Sequence, residues 1–226
     1  MPPEITREQQ LEKMRQDWDR RARENARHFV DTSKTAWSDN EFFAAGEQAI
    51  REDILTDLIN VCQGKDPKSM RVLEIGCGAG RLTRALSGMF GEVHAVDVSG
   101  EMIAQARKAL ADRSNVHLYQ NNGCDLSVIP NVAFDFAYSA IVFQHIPSRE
   151  IIETYVREVA RLLKPGSLFK FQVQGNASVE SHPDDTWHGV PFSVAQADAM
   201  ALRCGFDPRY QYGVGEQYFW LWYFKK

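Results

Sequence analysis

An α/β fold with a mostly parallel sheet and helices on both faces is predicted for this 226-residue chain by three observations. An apolar strand pattern, Val72-Leu73-Glu74-Ile75, runs directly into three alternating glycines, Gly76, Gly78 and Gly80, and then into a helical pattern from Arg81. Further short apolar runs alternate with helical stripes to about residue 175, as in strand–helix–strand units laid side by side. With 44% apolar and 25% charged residues, the chain has enough material for one sizeable core.

The first strand and its glycine turn carry the chemistry. A turn free of side chains lets the backbone come close to a molecule bound at the head of the next helix. A dinucleotide pyrophosphate asks for glycines at the first, third and sixth positions. Counted from Gly76, the sixth position is Arg81, which argues against a nicotinamide oxidoreductase. The glycines stand instead at the first, third and fifth positions, with an acid, Glu74, two residues ahead. A second strand, Val93-His94-Ala95-Val96, ends in Asp97, where a carboxylate can accept both hydroxyls of a ribose.

The stretch from Val72 to Gly80 resembles motif I of the class I S-adenosylmethionine-dependent methyltransferases, hydrophobic-hydrophobic-Glu/Asp-x-Gly-x-Gly-x-Gly. Three later segments resemble the same family in the same order. Val98-Ser99-Gly100-Glu101-Met102-Ile103 is similar to the segment after the acidic residue, which implies that Met102 covers an adenine. Phe134-Asp135-Phe136-Ala137-Tyr138-Ser139-Ala140 is similar to the fourth strand, which implies that Ser139 through His145 border the reactive methyl. Leu162-Leu163-Lys164-Pro165-Gly166-Ser167-Leu168 is similar to the family's L-K-P-G-G-x-L turn into a fifth strand, with Ser167 where a second glycine is usual.

The resemblance covers residues 70–175 and implies a Rossmann-like, seven-stranded sheet closed by an antiparallel C-terminal hairpin, here near Tyr210–Tyr212 and Tyr218–Phe224. It implies S-adenosylmethionine as cofactor, S-adenosylhomocysteine as product, and a cofactor set of Glu74, Gly76, Cys77, Gly78, Gly80, Arg81, Asp97, Val98, Met102, Asn122, Gly123, Cys124, Ser139 and Ala140. Asn122 stands four residues before Leu126, where the family commonly has an acid that meets the adenine amine; its side-chain carbonyl can accept that bond, and Asp125 competes for the role. The polyamine synthases share this fold but need clustered acids after the fourth strand, where this chain has Ser139-Ala140-Ile141-Val142.

Methyl transfer to an alcohol or ammonium also needs a proton removed, and His145 is the ionisable group in the right segment. Its other reading is an imidazole that caps the turn at Pro147. Residues 175–191 form a polar, irregular loop leaving the ligand edge of the sheet, so His182, Trp187 and His188 are candidates for acceptor contact. A helix over 193–204 with Ser193 as N-cap follows.

Residues 1–66 read as a helical cap ahead of a core over 67–226. Leu11, Met14, Trp18, Ala22, Ala26 and Phe29 form one amphipathic stripe, and Phe42, Ala45, Ala49, Leu55, Leu58 and Ile59 a second. Trp37, in the linker between them, is a candidate lid residue. Arg15, Arg20, Arg21, Arg23 and Arg27, interleaved with Asp17, Asp19 and Glu24, read as a solvated helix face.

A net charge of −4 and the lack of a basic stripe argue against a nucleic-acid substrate. The expected partner is a small-molecule methyl acceptor, and a non-catalytic cofactor-binding homologue or partner subunit of another methyltransferase is the alternative. No long apolar run marks a membrane span, and Met1-Pro2-Pro3-Glu4 begins polar and acidic, so a cytoplasmic protein is expected. Cys62, Cys77, Cys124 and Cys204 are scattered with no C-x-x-C pair or His/Cys cluster, so neither disulfides nor a metal site are expected. Cys77 and Cys124, on the expected cofactor loops, suggest sensitivity to thiol reagents.

Overall fold

A computed structural model describes residues 5–226; Met1–Glu4, the polar start noted above, lie outside the described residues. Seven strands form one sheet: β1 (Arg71–Ile75), β2 (Glu92–Asp97), β3 (Val116–Gln120), β4 (Phe134–Ser139), β5 (Leu163–Val173), β6 (Phe206–Tyr212) and β7 (Phe219–Lys225). Their order is β3-β2-β1-β4-β5-β7-β6, and β1 to β5 pair in parallel. β7 enters antiparallel between β5 and β6, giving the C-terminal hairpin. β6 starts at Phe206, four residues ahead of the expected Tyr210, directly after the helix that Gly205 ends.

The strands of the central sheet are covered on both faces, so they read as continuous apolar runs rather than alternating ones. Leu73, Ile75, Val96, Ala137, Phe169 and Phe171 point to the face covered by α6 (Arg149–Leu162) and α7 (Val194–Arg203). Val72, Val93, Phe136, Tyr138 and Leu168 point to the face covered by α2 (Asp39–Asp53), α3 (Leu58–Cys62) and α4 (Arg81–Met89). α5 (Gly100–Ala109) connects β2 to β3 and packs through Ile103 on Ala95 and Leu118.

The N-terminal helix α1 (Arg7–Val30) starts at a capping box made by Thr6 and Gln9. Its backbone leaves helical geometry at Asn25 (φ −169°), whose side chain caps the last turn by accepting from the His28 amide at 3.3 Å. That kink swings the end of α1, with Phe29 and Val30, toward the sheet edge where the strands end.

Two expectations for these helices change. The buried stripe of α2 runs Phe42, Gly46, Ile50 and on to Ile54, in steps of four. Leu55, Leu58 and Ile59 are exposed, because α2 ends at Asp53 and the chain turns through a 3-10 segment before α3. The charged face of α1 is not uniformly solvated either, since Asp17 and Arg21 are buried. Among the described residues no helix is long and apolar enough to cross a membrane.

Candidate cofactor and acceptor site

β1 lies between β2 and β4, with its neighbours reached by connections in opposite directions, so a crevice opens beyond the carboxyl ends of these strands. A cavity of about 800 Å3, counted out to its mouth, occupies that crevice. The glycine turn from Glu74 to Gly78 supplies one wall, Asp97, Val98 and Met102 a second, and Ala140, Ile141 and Val142 a third. Met14, Trp18, Phe29 and Val30 of α1 close it.

Two glycines are required by close approach as well as by conformation. Gly76 has φ +74°, and a Cβ there would fall 2.2 Å from a methyl of Val142. Gly78 has φ +52°, and its Cβ would fall 2.6 Å from a methyl of Val30. Any side chain would therefore push the turn off both the loop after β4 and the end of α1.

Two carboxyl groups face this cavity. Asp97 accepts from the Gly78 amide (2.8 Å) through one oxygen and from the Ser99 amide (2.9 Å) through the other, and each oxygen retains a lone pair. Burial outweighs these bonds and pushes its pKa up to about 6. Burial pushes Glu74 up to about 7, and its Oε2 has no hydrogen-bond partner. Arg81, beside it, reaches Asp31 at 3.3 Å while its own Nε lacks a partner. A diol for Asp97 and a cationic donor for the orphaned Glu74 oxygen would complete the wall, and S-adenosylmethionine carries a ribose diol and an ammonium.

Of the residues expected at the cofactor, Glu74, Gly76, Cys77, Gly78, Arg81, Asp97, Val98, Met102 and Ala140 line this cavity. Gly80 lies outside this lining, as the N-cap of α4, where an added Cβ would fall 2.9 Å from Leu110. Ser139 is turned into the sheet, donating to the Ile75 carbonyl at 2.9 Å. Asn122 does not reach the cavity: its carbonyl accepts from the Cys124 and Asp125 amides, and its amide donates to the Asp125 carboxylate. Gly123 and Cys124 belong to the same turn and stay outside the lining. The neighbouring Asn121 lines the cavity instead, donating to the Tyr155 hydroxyl at 2.8 Å, and Tyr155 lines it too. Cys77 is buried with its thiol pKa well above the ordinary value, which opposes reactivity with thiol reagents.

A second cavity adjoins the first, and Phe29, Val30, Ile141 and His145 line both. Its own walls include Asp31, Gln144, Gln174, Asn176, Trp187, His188 and Tyr218, a polar and aromatic set. Ile141 sits between the cavities with φ +59°, a conformation strained for a β-branched residue.

His145 is buried, with its Nδ1 2.6 Å from the Trp187 carbonyl. Only an Nδ1–H can make that bond, so Nε2 carries the lone pair, which accepts from the Gln144 side-chain amide at 3.4 Å, and burial pushes the pKa down to about 4. The imidazole is therefore neutral at physiological pH, in the tautomer that can accept a proton at Nε2. The expected contact to the turn at Pro147 is replaced by this bond across to the 175–191 loop.

A latch from α1 holds that loop in place. Arg21 donates to the Thr186 carbonyl (3.1 Å) and hydroxyl (3.0 Å) and stacks over Trp18 and Trp187 at 4.7 and 5.1 Å. Thr186 in turn donates to Asp17 at 2.8 Å. Trp18 packs edge-on against His145 at 5.4 Å, so it belongs to the site as well as to the helix stripe. Asp19 accepts from the Ser99 hydroxyl (2.6 Å) and the Glu101 amide, tying α1 to the start of α5 beside Asp97.

The remaining acceptor candidates divide. Trp187 and His188 line the second cavity, with His188 paired to Asp185 at 2.9 Å. His182 is exposed and lines neither cavity. Trp37 also lies outside both, because its indole donates to the Asp31 carbonyl and its ring packs on Phe42.

The strand order, the glycine turn and the C-terminal hairpin are those of the class I methyltransferase fold. Residues 72–166 match the family model described as a methyltransferase domain, and that part of the chain is such a domain. Over 102 residues, 45% of this chain, it is 31% identical to a ubiquinone biosynthesis O-methyltransferase of Xanthomonas oryzae pv. oryzae, covering 41% of that protein. A malonyl-[acyl-carrier protein] O-methyltransferase of Enterobacter lignolyticus is 33% identical over 103 residues, with 45% of this chain and 38% of that protein covered. The chain thus spans well under two thirds of the curated relatives it matches. Among solved structures, a DhpI–S-adenosylhomocysteine (SAH) complex superposes with TM-score 0.67 at 22% identity, covering 96% of this chain and 98% of that one. The magnesium protoporphyrin IX methyltransferase ChlM of Synechocystis PCC 6803, with bound SAH, superposes with TM-score 0.69 at 14% identity, covering 96% and 100%. These two likenesses establish the fold.

Proposed function

We propose that this chain is an S-adenosylmethionine-dependent methyltransferase that acts on a small-molecule acceptor. The observation that carries the reading is the pair of adjoining cavities, one walled by the glycine turn, Asp97 and Glu74, the other by the 175–191 loop, meeting at Ile141 and His145. The matched relatives are named as O-methyltransferases, of ubiquinone biosynthesis and of malonyl-[acyl-carrier protein], which supports methyl transfer as the reaction. Residues 1–66 act as the lid and 67–226 as the core. Cytoplasmic residence accompanies this reading, supported by four cysteines that are buried and unpaired.

When bound, the cofactor supplies a methyl group already activated on a sulfonium, so the protein's work is mostly alignment. Asp97 would hold the ribose hydroxyls, Glu74 would meet the cationic end, and Met102 would offer apolar surface to the adenine. Trp18, Phe29 and Val30 exclude water from above. Trp187, Gln144 and Gln174 would line the acceptor's wall of the second cavity, with Ile141 at its junction with the first. Where that nucleophile must lose a proton, Nε2 of His145 takes it; one that is already ionised needs only the alignment.

Calorimetric titration of the purified chain with S-adenosylmethionine and SAH, with NAD as control and Asp97→Ala as comparison, tests the reading. Micromolar binding of both adenosyl compounds, lost in Asp97→Ala, is the expected result. No binding by the folded protein would sink the cofactor assignment. Binding without turnover across a broad acceptor panel would favour the non-catalytic homologue.

A further inference from the structure

At the other end of β2 the sheet assembles a set of side chains that methyl transfer does not use. The parallel register places His94 of β2 beside His117 of the edge strand β3, with ring centroids 4.6 Å apart. Glu92, two residues before His94, points to the same face of the sheet. Its Oε1 lies 2.8 Å from His94 Nε2 and 3.4 Å from His117 Nε2, and the three donor atoms lie within 4.8 Å of one another.

We propose that Glu92, His94 and His117 bind one divalent transition-metal ion, zinc or a close chemical relative, in a site separate from the cofactor cavity. Two imidazoles and one carboxylate make a donor set suited to zinc, nickel, cobalt or copper and poorly suited to magnesium or calcium. Three protein donors leave one position for water, and the His117 side chain, 44% exposed, gives the ion a way in.

The surroundings orient the donors. Arg71 donates to Glu92 Oε2 at 2.6 Å, which turns Oε1 toward the two imidazoles. Without an ion, His94 Nε2 donates to Glu92 Oε1; an ion that takes the Nε2 lone pair leaves the ring proton on Nδ1, where the Tyr119 hydroxyl, 3.0 Å away, can accept it, as outer partners of metal-bound histidines commonly do. Individually these residues lie on two strands more than twenty positions apart, which is why no spacing in the sequence marks them.

Glu92 and Asp97 are the first and last residues of β2, about 16 Å apart at 3.3 Å per residue. The ion is therefore remote from the transferring methyl, and its role is to clip the edge strand β3 to β2.

The test uses the whole chain, stripped of metal with EDTA, in calorimetric titration with zinc chloride and visible spectroscopy with cobalt chloride. One zinc per chain with micromolar affinity is expected, no heat with magnesium or calcium, and a rise in melting temperature with zinc. His117→Ala, at an exposed position, is expected to fold, to weaken zinc tenfold or more and to abolish the cobalt d–d absorption; Glu92→Gln is expected to do the same. Absence of saturable zinc binding, or zinc affinity unchanged in His117→Ala, overturns the proposal. SAH titration of the same samples reads the cofactor site independently, so either assignment can fail alone.

Discussion

Arg21 is the residue whose removal should best separate the latch from the rest of the fold. It gives two hydrogen bonds to Thr186 and lies over the rings of Trp18 and Trp187. A hydrogen bond from a charged donor contributes about 1.5–3 kcal/mol, and a partly desolvated cation–π contact about 1 kcal/mol. Against this stands the cost of burying the guanidinium, which depresses its pKa. The net expectation for Arg21→Ala is a loss of roughly 2–4 kcal/mol, concentrated in the 183–190 segment. Arg21→Met keeps volume against both indoles and should lose less than Arg21→Ala. Urea unfolding measures the global loss, and amide hydrogen exchange locates it. Because the Trp187 carbonyl holds His145, the Michaelis constant for the acceptor should rise in Arg21→Ala while SAH affinity changes little. Stability within 0.5 kcal/mol of the parent, with unchanged protection of residues 183–190, would refute the latch.

Three other outcomes follow from the site. Gly78→Ala places a methyl 2.6 Å from Val30 at φ +52° and should cut SAH affinity at least tenfold while the chain still folds, as read by calorimetry; Gly78→Ala with Val30→Ala should recover part of the loss. Glu74 has a folded pKa of about 7 against an ordinary 4.5, so its ionisation opposes folding as pH rises through that window. Glu74→Gln should match the parent below pH 4.5 and exceed it by about 3 kcal/mol above pH 7 in urea unfolding, and a gap that does not grow with pH would contradict the assignment. His145, with a pKa of about 4, is neutral across the working range, so the rate should show no limb near pH 6.5, and a limb there that disappears in His145→Phe would show that the ring titrates near neutral pH and refute this assignment.

The parts of the site that the sequence revealed are those that act locally. A glycine turn after an apolar strand, an acid at the end of the next one and a Ser N-cap before Met102 each depend on a few consecutive residues, and each lies where its spacing implied. Asn122 was misplaced because two adjacent asparagines can both serve an amine, and only the turn decides which one it consumes. The latch was invisible because Arg21 and Thr186 are 165 positions apart and a charged residue among other charges looks solvated until a partner buries it. Leu55, Leu58 and Ile59 misled for the opposite reason: their spacing is helical, but the helix ends before reaching them.

The division between matched and unmatched segments has its own logic. The methyltransferase domain over 72–166 contains the glycine turn, Asp97 and Met102, together with Ile141 and His145 at the junction of the cavities. Most other contacts of the second cavity come from outside it: Phe29 to Ser33 after the α1 kink, Gln174 to His188, and Gln217 and Tyr218 before β7. α1 bridges the two halves, since Asp19 holds the Ser99 cap beside Asp97 while Asp17 and Arg21 hold Thr186. Under the proposed function, closure over the cofactor and formation of the acceptor wall would thus depend on the same helix. Under that same function, the acceptor wall can change through Gln174, Asn176, Trp187, His188, Gln217 and Tyr218, which line the second cavity alone, whereas Val30 is held by its packing on Gly78 of the cofactor turn.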